Sequence, residues 1–488
     1  MICSGFKRSF DFLTLNLKDS APAAAPLREA FERLRRARDT SPPPGYDERI
    51  AALSALEDLL RAGTPELARA VDADFEGRAQ EETRLLEIFP ALEAARHARR
   101  HLRAWMRPQR RATSLYFLPG RSRLVYQPLG VVGIVVPWNY PIYLALGPLV
   151  SALAAGNRAL VKMSEAAPRT GEVLARLVAA RFDPGLLHVV NGGPELAREF
   201  VALPFDHLLF TGSTAVGREV MRAAAENLTP VTLELGGKSP AIVGRGADVE
   251  EAADKIMFGK CLNAGQTCIA PDYALVPEER IEAFVAAARA SVSRMYPRLA
   301  ANPQYSSIVN ARHRERLRGL VDEAKRSGAR VEEINPGGED LAASPKMAPH
   351  LIVSPDTGTR LMREEIFGPL LPVVGYRELG DAIAFVNARP RPLALYVFER
   401  DEAAIARVLT ETVSGGATVN ETLLHIAQDD LPFGGVGASG MGAYHGRAGF
   451  ETFSKAKPVF YQPRLNLLGL FRPPYGPRFE RLMRFLSR

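Results

Sequence analysis

Between Val131 and Gly237 the chain alternates short apolar runs with longer stretches of helical spacing, and no other feature limits its fold as much. Val131 to Val136, Ala159 to Lys162, Leu186 to Val190, His207 to Phe210 and Val231 to Glu234 read as strands, with helices near Leu144, Glu172, Leu196 and Gly217. Repeated strand-helix-strand units predict a doubly wound parallel sheet, which binds ligands beyond the carboxyl ends of its strands. A second α/β region is expected from about Ser239 to Asn420, with helices near Glu250, Ile281, Arg314 and Ala403. Upstream, Ala21 to Arg38 opens a helical region, Ser41-Pro-Pro-Pro-Gly45 breaks it, and the apolar spacing from Asp47 to about Arg107 predicts further helices. Residues 1–20 are expected to be poorly structured.

Leu124 to Asn157 carries no charge for 34 residues, which invites reading it as a membrane span. Pro128, Pro137, Asn139, Pro141 and Pro148 punctuate it, so a buried strand, a turn and a buried helix (Tyr143 to Ala155) fit better. Met1 to Leu17 lacks the unbroken apolar run and cleavage site of a signal peptide. Three cysteines, Cys3, Cys261 and Cys268, are too few for a disulfide framework or a four-ligand zinc site, and suit a reducing cytoplasmic setting. The net charge of +7 is spread over stretches such as Arg28 to Arg38 and Arg96 to Arg111, which read as solvated helix faces. No nucleic-acid-binding module accompanies them.

Certain motif matches fail on context. Gly435-Val-Gly437-Ala-Ser-Gly440 fits G-x-G-x-x-G, yet it lies near the C-terminus, outside any strand-helix-strand unit. Gly237-Lys238-Ser239 mimics the end of a P-loop, but Thr232 stands where its first glycine belongs. His97 and His101 are four apart on an expected helix but are surrounded by arginines, so a solvated basic face is expected and no metal site.

Other short segments place unusual chemistry at strand ends. Pro137-Trp138-Asn139-Tyr140-Pro141 ends the first strand, where the Asn139 amide can donate to an oxyanion. Lys162 ends the second, suited to a ribose hydroxyl or phosphate. Phe210-Thr-Gly-Ser213-Thr-Ala-Val-Gly217 joins a strand to a helix whose free N–H groups favour a pyrophosphate. Glu234-Leu-Gly-Gly-Lys238 puts a carboxylate in an apolar strand, and Glu364-Glu365-Ile-Phe367-Gly-Pro369 mixes acid, aromatic and turn. Cys268 follows a Gly-Gln-Thr turn and re-enters an apolar segment, a place for a nucleophile. Read singly, each has a plainer explanation: Asn139 or Ser213 as a helix cap, Glu234 as a surface residue, Cys268 as an inert core thiol.

Taken together, Pro-Trp-Asn-Tyr, Lys-Met-Ser-Glu, Thr-Gly-Ser-Thr, Glu-Leu-Gly-Gly-Lys, Gly-Gln-Thr-Cys, Glu-Glu-Ile-Phe-Gly-Pro and Pro-Phe-Gly-Gly-Val resemble the aldehyde dehydrogenase superfamily, in its order, across residues 137–436. The spacings of 34 residues from Glu234 to Cys268 and 97 from Cys268 to Glu365 also resemble the family's. The resemblance implies a Rossmann-like NAD(P)-binding domain over 21–111 and 131–235, a catalytic domain over 236–422, and a bridging or oligomerisation segment over 112–130 and 423–488. It also implies Cys268 as nucleophile, Asn139 and the Cys268 N–H as oxyanion donors, and Glu234 as the base for thioester hydrolysis. For the cofactor, NAD or NADP, it implies Lys162 and Glu165 at the adenosine ribose, Ser213 at the pyrophosphate with Trp138 nearby, and Glu365 with Phe367 at the nicotinamide ribose. Met163 departs from the proline common at that position.

The segments Ile269-Ala-Pro-Asp-Tyr273 and Tyr444-His-Gly-Arg-Ala-Gly-Phe450 resemble the class 3 and fatty aldehyde dehydrogenases, and most closely the bacterial coniferyl aldehyde dehydrogenases. An apolar, aromatic aldehyde is the substrate this implies, and a homodimer, with strands near Leu115 to Tyr126 and the C-terminal segment as contacts, is the family expectation. Gly476 to Arg488 is expected to form a basic amphipathic helix that packs on its own or a partner subunit rather than on a membrane. Two other outcomes share the same thiol: acyl transfer to coenzyme A, against which Glu234 argues, and cofactor-independent ester cleavage.

Overall fold

The computed structural model describes residues 24–464, 466 and 468–487; the expectations for residues 1–20 and Cys3 lie outside them. Helices Ala24–Thr40, Tyr46–Asp74 and Phe89–Trp105 open the chain, the last two packed on one another and the first on a separate core that includes Val131, Leu160 and Phe205. Leu53, Leu56, Leu60 and Leu67 line one buried stripe of the second, as their spacing dictates. His97 corrects the expected solvated basic face. Arg100 and His101 on the same helix are exposed, but His97 shares the buried side with Ala91, Ala95, Ala98 and Leu102, its ring 5.7 Å from that of Trp105.

Strands β1 (Gln109–Arg111) and β2 (Arg121–Pro128) follow as an antiparallel pair. Leu115–Phe117 between them is a turn of 3₁₀ helix, not the expected strand, because pairing with another strand begins only at Arg121. The chain then lays down β3 (Val131–Val135), β4 (Arg158–Lys162), β5 (Leu187–Val190), β6 (His207–Gly212) and β7 (Val231–Leu235), all parallel, with helices Tyr143–Ala154, Pro168–Ala179, Pro194–Val201 and Thr214–Ala225 after the first four. A second sheet contains β8 (Pro240–Val243), β9 (Tyr273–Pro277), β10 (Arg330–Glu333), β11 (His350–Val353), β12 (Leu370–Tyr376), β13 (Ala394–Phe398) and β14 (Gly416–Val419). Its order is β10-β11-β12-β9-β8-β13-β14, and only the β10–β11 pair is antiparallel. Two late strands then return to earlier sheets: β15 (Gly440–Met441) pairs with β7, and β16 (Ser454–Tyr461) pairs with β2.

The first parallel sheet therefore runs β15-β7-β6-β3-β4-β5. Winding starts at β3, proceeds outward to β5, then crosses back to β6, so the strand order reverses between β3 and β6. A doubly wound sheet opens its ligand crevice at that reversal.

The uncharged 124–157 segment supplies β3 and the wholly buried helix Tyr143–Ala154, and no helix among the described residues is long and apolar enough to cross a membrane. Asn157 closes this segment with all of its side-chain polar atoms. Its Oδ1 accepts from the N–H groups of Leu129 (2.8 Å) and Gly130 (2.9 Å), while its Nδ2 donates to the carbonyls of Ala152 (3.2 Å) and Phe453 (2.8 Å). One buried amide thus ties the entry of β3 to the C-terminal segment. Asn157→Ala leaves these partners unpaired and is expected to lower unfolding free energy by about 2–4 kcal/mol, read from urea denaturation.

Candidate active site

The loop that presents Cys268 is bent against its local preference. Helix Val249–Cys261 ends in a turn where Asn263 (φ 49°) and Ala264 (φ 50°) occupy the left-handed region, at a cost of roughly 1–2 kcal/mol each. Gly265 follows at φ 75°, and a Cβ there would lie 2.3 Å from the Gly368 carbonyl oxygen, so only glycine fits. Buried amides hold the turn. Asn263 Nδ2 donates to the carbonyls of Asn139 (3.0 Å) and Gln266 (3.2 Å), and its backbone N–H donates to Glu82 (2.9 Å). Gln266 Nε2 donates to the carbonyls of Asn263 and Ser307, both at 2.9 Å, and its Oε1 accepts from the Val309 N–H. Cys268 leaves this frame with the N–H groups of Cys268 and Ile269 directed at its sulfur.

Asn139 lies in the loop after β3. Its Nδ2 donates to the Gln266 carbonyl at 3.1 Å, which uses one of its two amide hydrogens and leaves the other for an incoming oxygen. The Asn139 carbonyl accepts from Arg78 at 2.7 Å. Arg78 is wholly buried, pairs with Glu87 at 3.2 Å, and lies over the rings of Tyr140 and Phe75. Glu87 in turn accepts from the N–H groups of Ile142 (2.7 Å) and Tyr143 (3.2 Å), capping the next helix. Glu87 belongs to a π-helical turn, Arg84–Ile88, which directs it inward while leaving Leu85 exposed.

Two carboxyl groups face the thiol. Glu234, on β7, is buried, and neither of its oxygens has a partner among the described residues; burial alone raises its pKa well above the carboxylate range. Glu365 is also buried, takes a hydrogen bond from the Gly237 N–H, and is pushed up to about 8 by burial and then by neighbouring Asp272. Gly236 is required here, since a Cβ would lie 2.0 Å from Glu365 Oε2. The Glu364–Phe367 segment is locked by Lys238, which pairs with Asp272 and donates to the carbonyls of Leu361 (2.8 Å) and Glu364 (3.0 Å), while Asp272 accepts from the Ile366 N–H (2.9 Å). Burial raises the Cys268 thiol to about 12, with Glu365 and then Glu234 adding to the shift.

The other predicted residues gather at the carboxyl ends of β3, β4 and β6. Lys162 ends β4, buried, with Nζ 3.1 Å from Glu165. Ser213 caps helix Thr214–Ala225 by accepting from Val216 N–H (3.4 Å), so the helix N-terminus faces the crevice where an anion is stabilised. Trp138 packs edge-on against Phe367 (5.3 Å) and beside His313 (5.1 Å), nearer to the Glu365 segment than to Ser213's helix in its contacts. Met163 is fully buried. A helix N-terminus, a ribose-height lysine and an unpartnered Glu365 oxygen fit a dinucleotide across this edge.

Cys268 and Glu234 also line a cavity of about 620 Å³ on the opposite side. Phe89, Tyr140, Phe258, Ile269 and Phe433 form much of its wall, and among the described residues no lysine, arginine or histidine lines it. Sequence reasoning missed Arg78, Glu82, Glu87, the Lys238–Asp272 pair and the cavity tyrosines Tyr143 and Tyr444. The one available signal was the placement of Glu82 and Glu87 around the apolar Leu85-Leu86 pair. Of the discarded motifs, Gly435–Gly440 is the turn that delivers β15 to β7, and Lys238 points into the protein toward Asp272.

Residues 15–459 match the aldehyde dehydrogenase family. A probable coniferyl aldehyde dehydrogenase of Pseudomonas aeruginosa is 51% identical over 467 residues, 96% of this chain and 97% of that protein. Among solved structures, a substrate-bound Staphylococcus aureus AldH superposes with a TM-score of 0.88 at 38% identity, covering 94% of this chain and 99% of the other. A Mycobacterium tuberculosis aldehyde dehydrogenase complexed with NAD+ gives 0.82 at 30% identity, with 91% of each chain covered. A doubly wound nucleotide crevice meeting a buried thiol and two carboxyls defines a cofactor-dependent enzyme. The chain belongs to the aldehyde dehydrogenase family and is an NAD(P)-dependent oxidoreductase acting on aldehydes.

Arg78 provides a direct check of the site's frame. Arg78→Met removes the donor to the Asn139 carbonyl and strands Glu87 as a buried, unpaired acid, so a loss of about 3–5 kcal/mol in unfolding free energy is expected from chemical denaturation.

Proposed function

We propose that the enzyme oxidises a neutral aromatic aldehyde of the coniferyl type to its carboxylate through a covalent intermediate on Cys268. The observation that carries this reading is the apolar cavity of about 620 Å³ that ends on Cys268 and Glu234 without any cationic side chain in its wall. An anionic aldehyde finds no partner there, whereas an arylpropenal buries its ring and chain. The name and 51% identity of the Pseudomonas aeruginosa relative support the same substrate class.

In this reading the Cys268 sulfur attacks the aldehyde carbon to form a thiohemiacetal, and the Asn139 amide and Cys268 N–H stabilise its oxyanion, each such donor being worth about 3–4 kcal/mol. Bound NAD(P)+ supplies the hydride acceptor. Lys162 and Glu165 hold the adenosine ribose, Ser213 and its helix the pyrophosphate with Trp138 nearby, and Glu365 with Phe367 the nicotinamide ribose. Glu234 then takes a proton from water as it attacks the thioester, and the thiolate leaves. Its unpartnered oxygens leave it free to accept that proton.

In the same reading residues 21–111 and 131–235 bind the cofactor, 236–422 carry the thiol, and 112–130 with 423–488 bridge subunits. Exposed Leu115, Tyr116, Phe460 and Tyr461 on and beside the three-stranded sheet support a homodimer, and a cytoplasmic location suits the reduced thiols. Helix Pro477–Leu486 carries exposed Phe485 and Met483 beside Arg478, Arg481 and Arg484, and contributes to that subunit contact rather than to a membrane surface.

Cys268→Ala is expected to abolish aldehyde oxidation. Glu234→Gln is expected to give a burst of about one reduced cofactor per site and then stall, as loss of the hydrolytic base dictates; steady turnover in both variants would falsify the assignments. Because burial raises the Glu234 pKa, thioester hydrolysis should increase with pH along a limb lying above the ordinary carboxylate range, read from kcat against pH. Cinnamyl aldehydes should exceed short aliphatic and carboxylate-bearing aldehydes in kcat/KM with NAD or NADP, and coenzyme A should leave the free acid as product.

A further inference from the structure

Hydrolysis of the thioester leaves a proton on Glu234, a buried carboxyl whose oxygens have no partner among the described residues. The acyl group occupies the wide apolar cavity during this step, and the groups in its wall able to carry a proton include tyrosines, threonines and the carboxyls of Glu93, Glu421 and Asp429. Tyr143 and Tyr444 are two of them, and both also line a second, much smaller cavity with room for about one water. His97, Ser151, Asp429 and His445 border this small chamber.

The groups between the two cavities form a polar seam through an otherwise packed region. Tyr444 is fully buried, its hydroxyl has no partner among the described residues, and Glu234, Cys268 and Tyr143 are all close enough to influence its ionisation. It lies four residues beyond Gly440, the residue paired across β15 and β7 with Glu234 itself. The Tyr143 hydroxyl and His445 Nε2 share a hydrogen bond at 3.0 Å. His445 is buried against Phe433, with ring centroids 5.3 Å apart, and its Nδ1 has no partner among the described residues. His97 Nε2, another unpartnered buried nitrogen, also borders the chamber and lies 3.8 Å from Asp430, whose side chain reaches solvent.

We infer that Tyr444, Tyr143 and His445 form a proton exit from Glu234 into the small chamber and out past His97, used once per turnover after thioester hydrolysis. This inference rests on Glu234 acting as the hydrolytic base. As water attacks the thioester, its oxygen bonds to the acyl carbon, one O–H bond breaks and the proton goes to Glu234; the C–S bond then breaks and its electron pair leaves on Cys268. Glu234 returns to carboxylate by giving the proton to the Tyr444 hydroxyl, and because that hydroxyl has no direct partner among the described residues, water bridges it to Glu234 on one side and to Tyr143 on the other. Each hydroxyl accepts one proton and gives up its own, so both tyrosines end the step neutral. His445 accepts at Nε2 and releases from Nδ1 to the chamber, and a flip of the neutral ring with rotation of the tyrosine hydroxyls restores the starting arrangement. Burial lowers the His445 pKa to about 3, which suits a carrier that does not retain the proton. Asp429, held up to about 6 by burial and by Glu93, with Arg100 opposing, borders both cavities, so the exit opens beside a carboxyl that titrates near neutrality.

Tyr143→Phe and Tyr444→Phe keep the rings and remove only the hydroxyls. The rapid burst of reduced cofactor should keep its wild-type size and rate, while single-turnover decay of the acyl-enzyme slows at least about 10-fold, a modest share of the range seen for acid–base groups. A proton inventory of that decay in mixed H2O and D2O should curve for wild type and become linear in Tyr143→Phe. Wild-type acyl-enzyme decay in both variants, with Glu234→Gln still stalled, would overturn the relay and leave the base assignment standing. Burst and decay slowing in parallel would also overturn it, since that marks a structural role. Steady turnover in Glu234→Gln would overturn the base assignment, and the relay with it.

Discussion

A single buried guanidinium sets the frame on which the rest of this active site depends. Arg78 reaches the Asn139 carbonyl from one side and Glu87 from the other, and Glu87 fixes the start of helix Tyr143–Ala154. Glu82, four residues along, holds the Asn263 N–H. The N-terminal helical layer therefore reaches through both parallel sheets' connecting loops to the turn before Cys268. Burying these charges is costly, and the geometry offsets part of that cost: Arg78 and Glu87 pair with one another, and each also meets backbone groups of the loop it holds. The left-handed pair Asn263 and Ala264 stores strain that only such a rigid surround can hold.

The resting thiol and both of its carboxyl neighbours are displaced toward their protonated forms, all by burial. Burial thus disfavours a resting charge on each of them, and bond making is the moment at which charge develops at the centre. Fixed N–H dipoles at Cys268, Ile269 and Asn139 are aimed at that moment, so little rearrangement is needed when an oxyanion forms.

Much of this was legible before any coordinates. The five strands from Val131 to Leu235 followed from apolar runs separated by helical spacing, because parallel strands are buried on both faces. Trp138, Lys162, Ser213, Glu234 and Cys268 all stood at strand ends or in turns, where a doubly wound sheet puts its chemistry. What sequence did not carry were pairings without local signal. Arg78 meets Asn139 across 61 residues and Asn263 meets Glu82 across 181, and nothing in either neighbourhood announces the partner. His97 misled because the charge around it described the helix's outer face, while its own position on the helix faced Trp105.

One consequence follows from the chain's last turns through the fold. Glu234 sits on β7, whose outer neighbour is β15 at residues 440–441, and β2 waits for β16 at residues 454–461. Ribosomal synthesis delivers these strands after nearly everything else, and domains fold as their segments emerge. From the synthesis of Cys268 to that of Gly440 the nascent chain thus carries its thiol, its oxyanion amide and an open sheet edge, with the strand bearing the carboxylate uncapped throughout. Truncated products, the common debris of interrupted translation, would lack the closing strands, and so a fragment holding every catalytic side chain would still be without a finished place in which to use them.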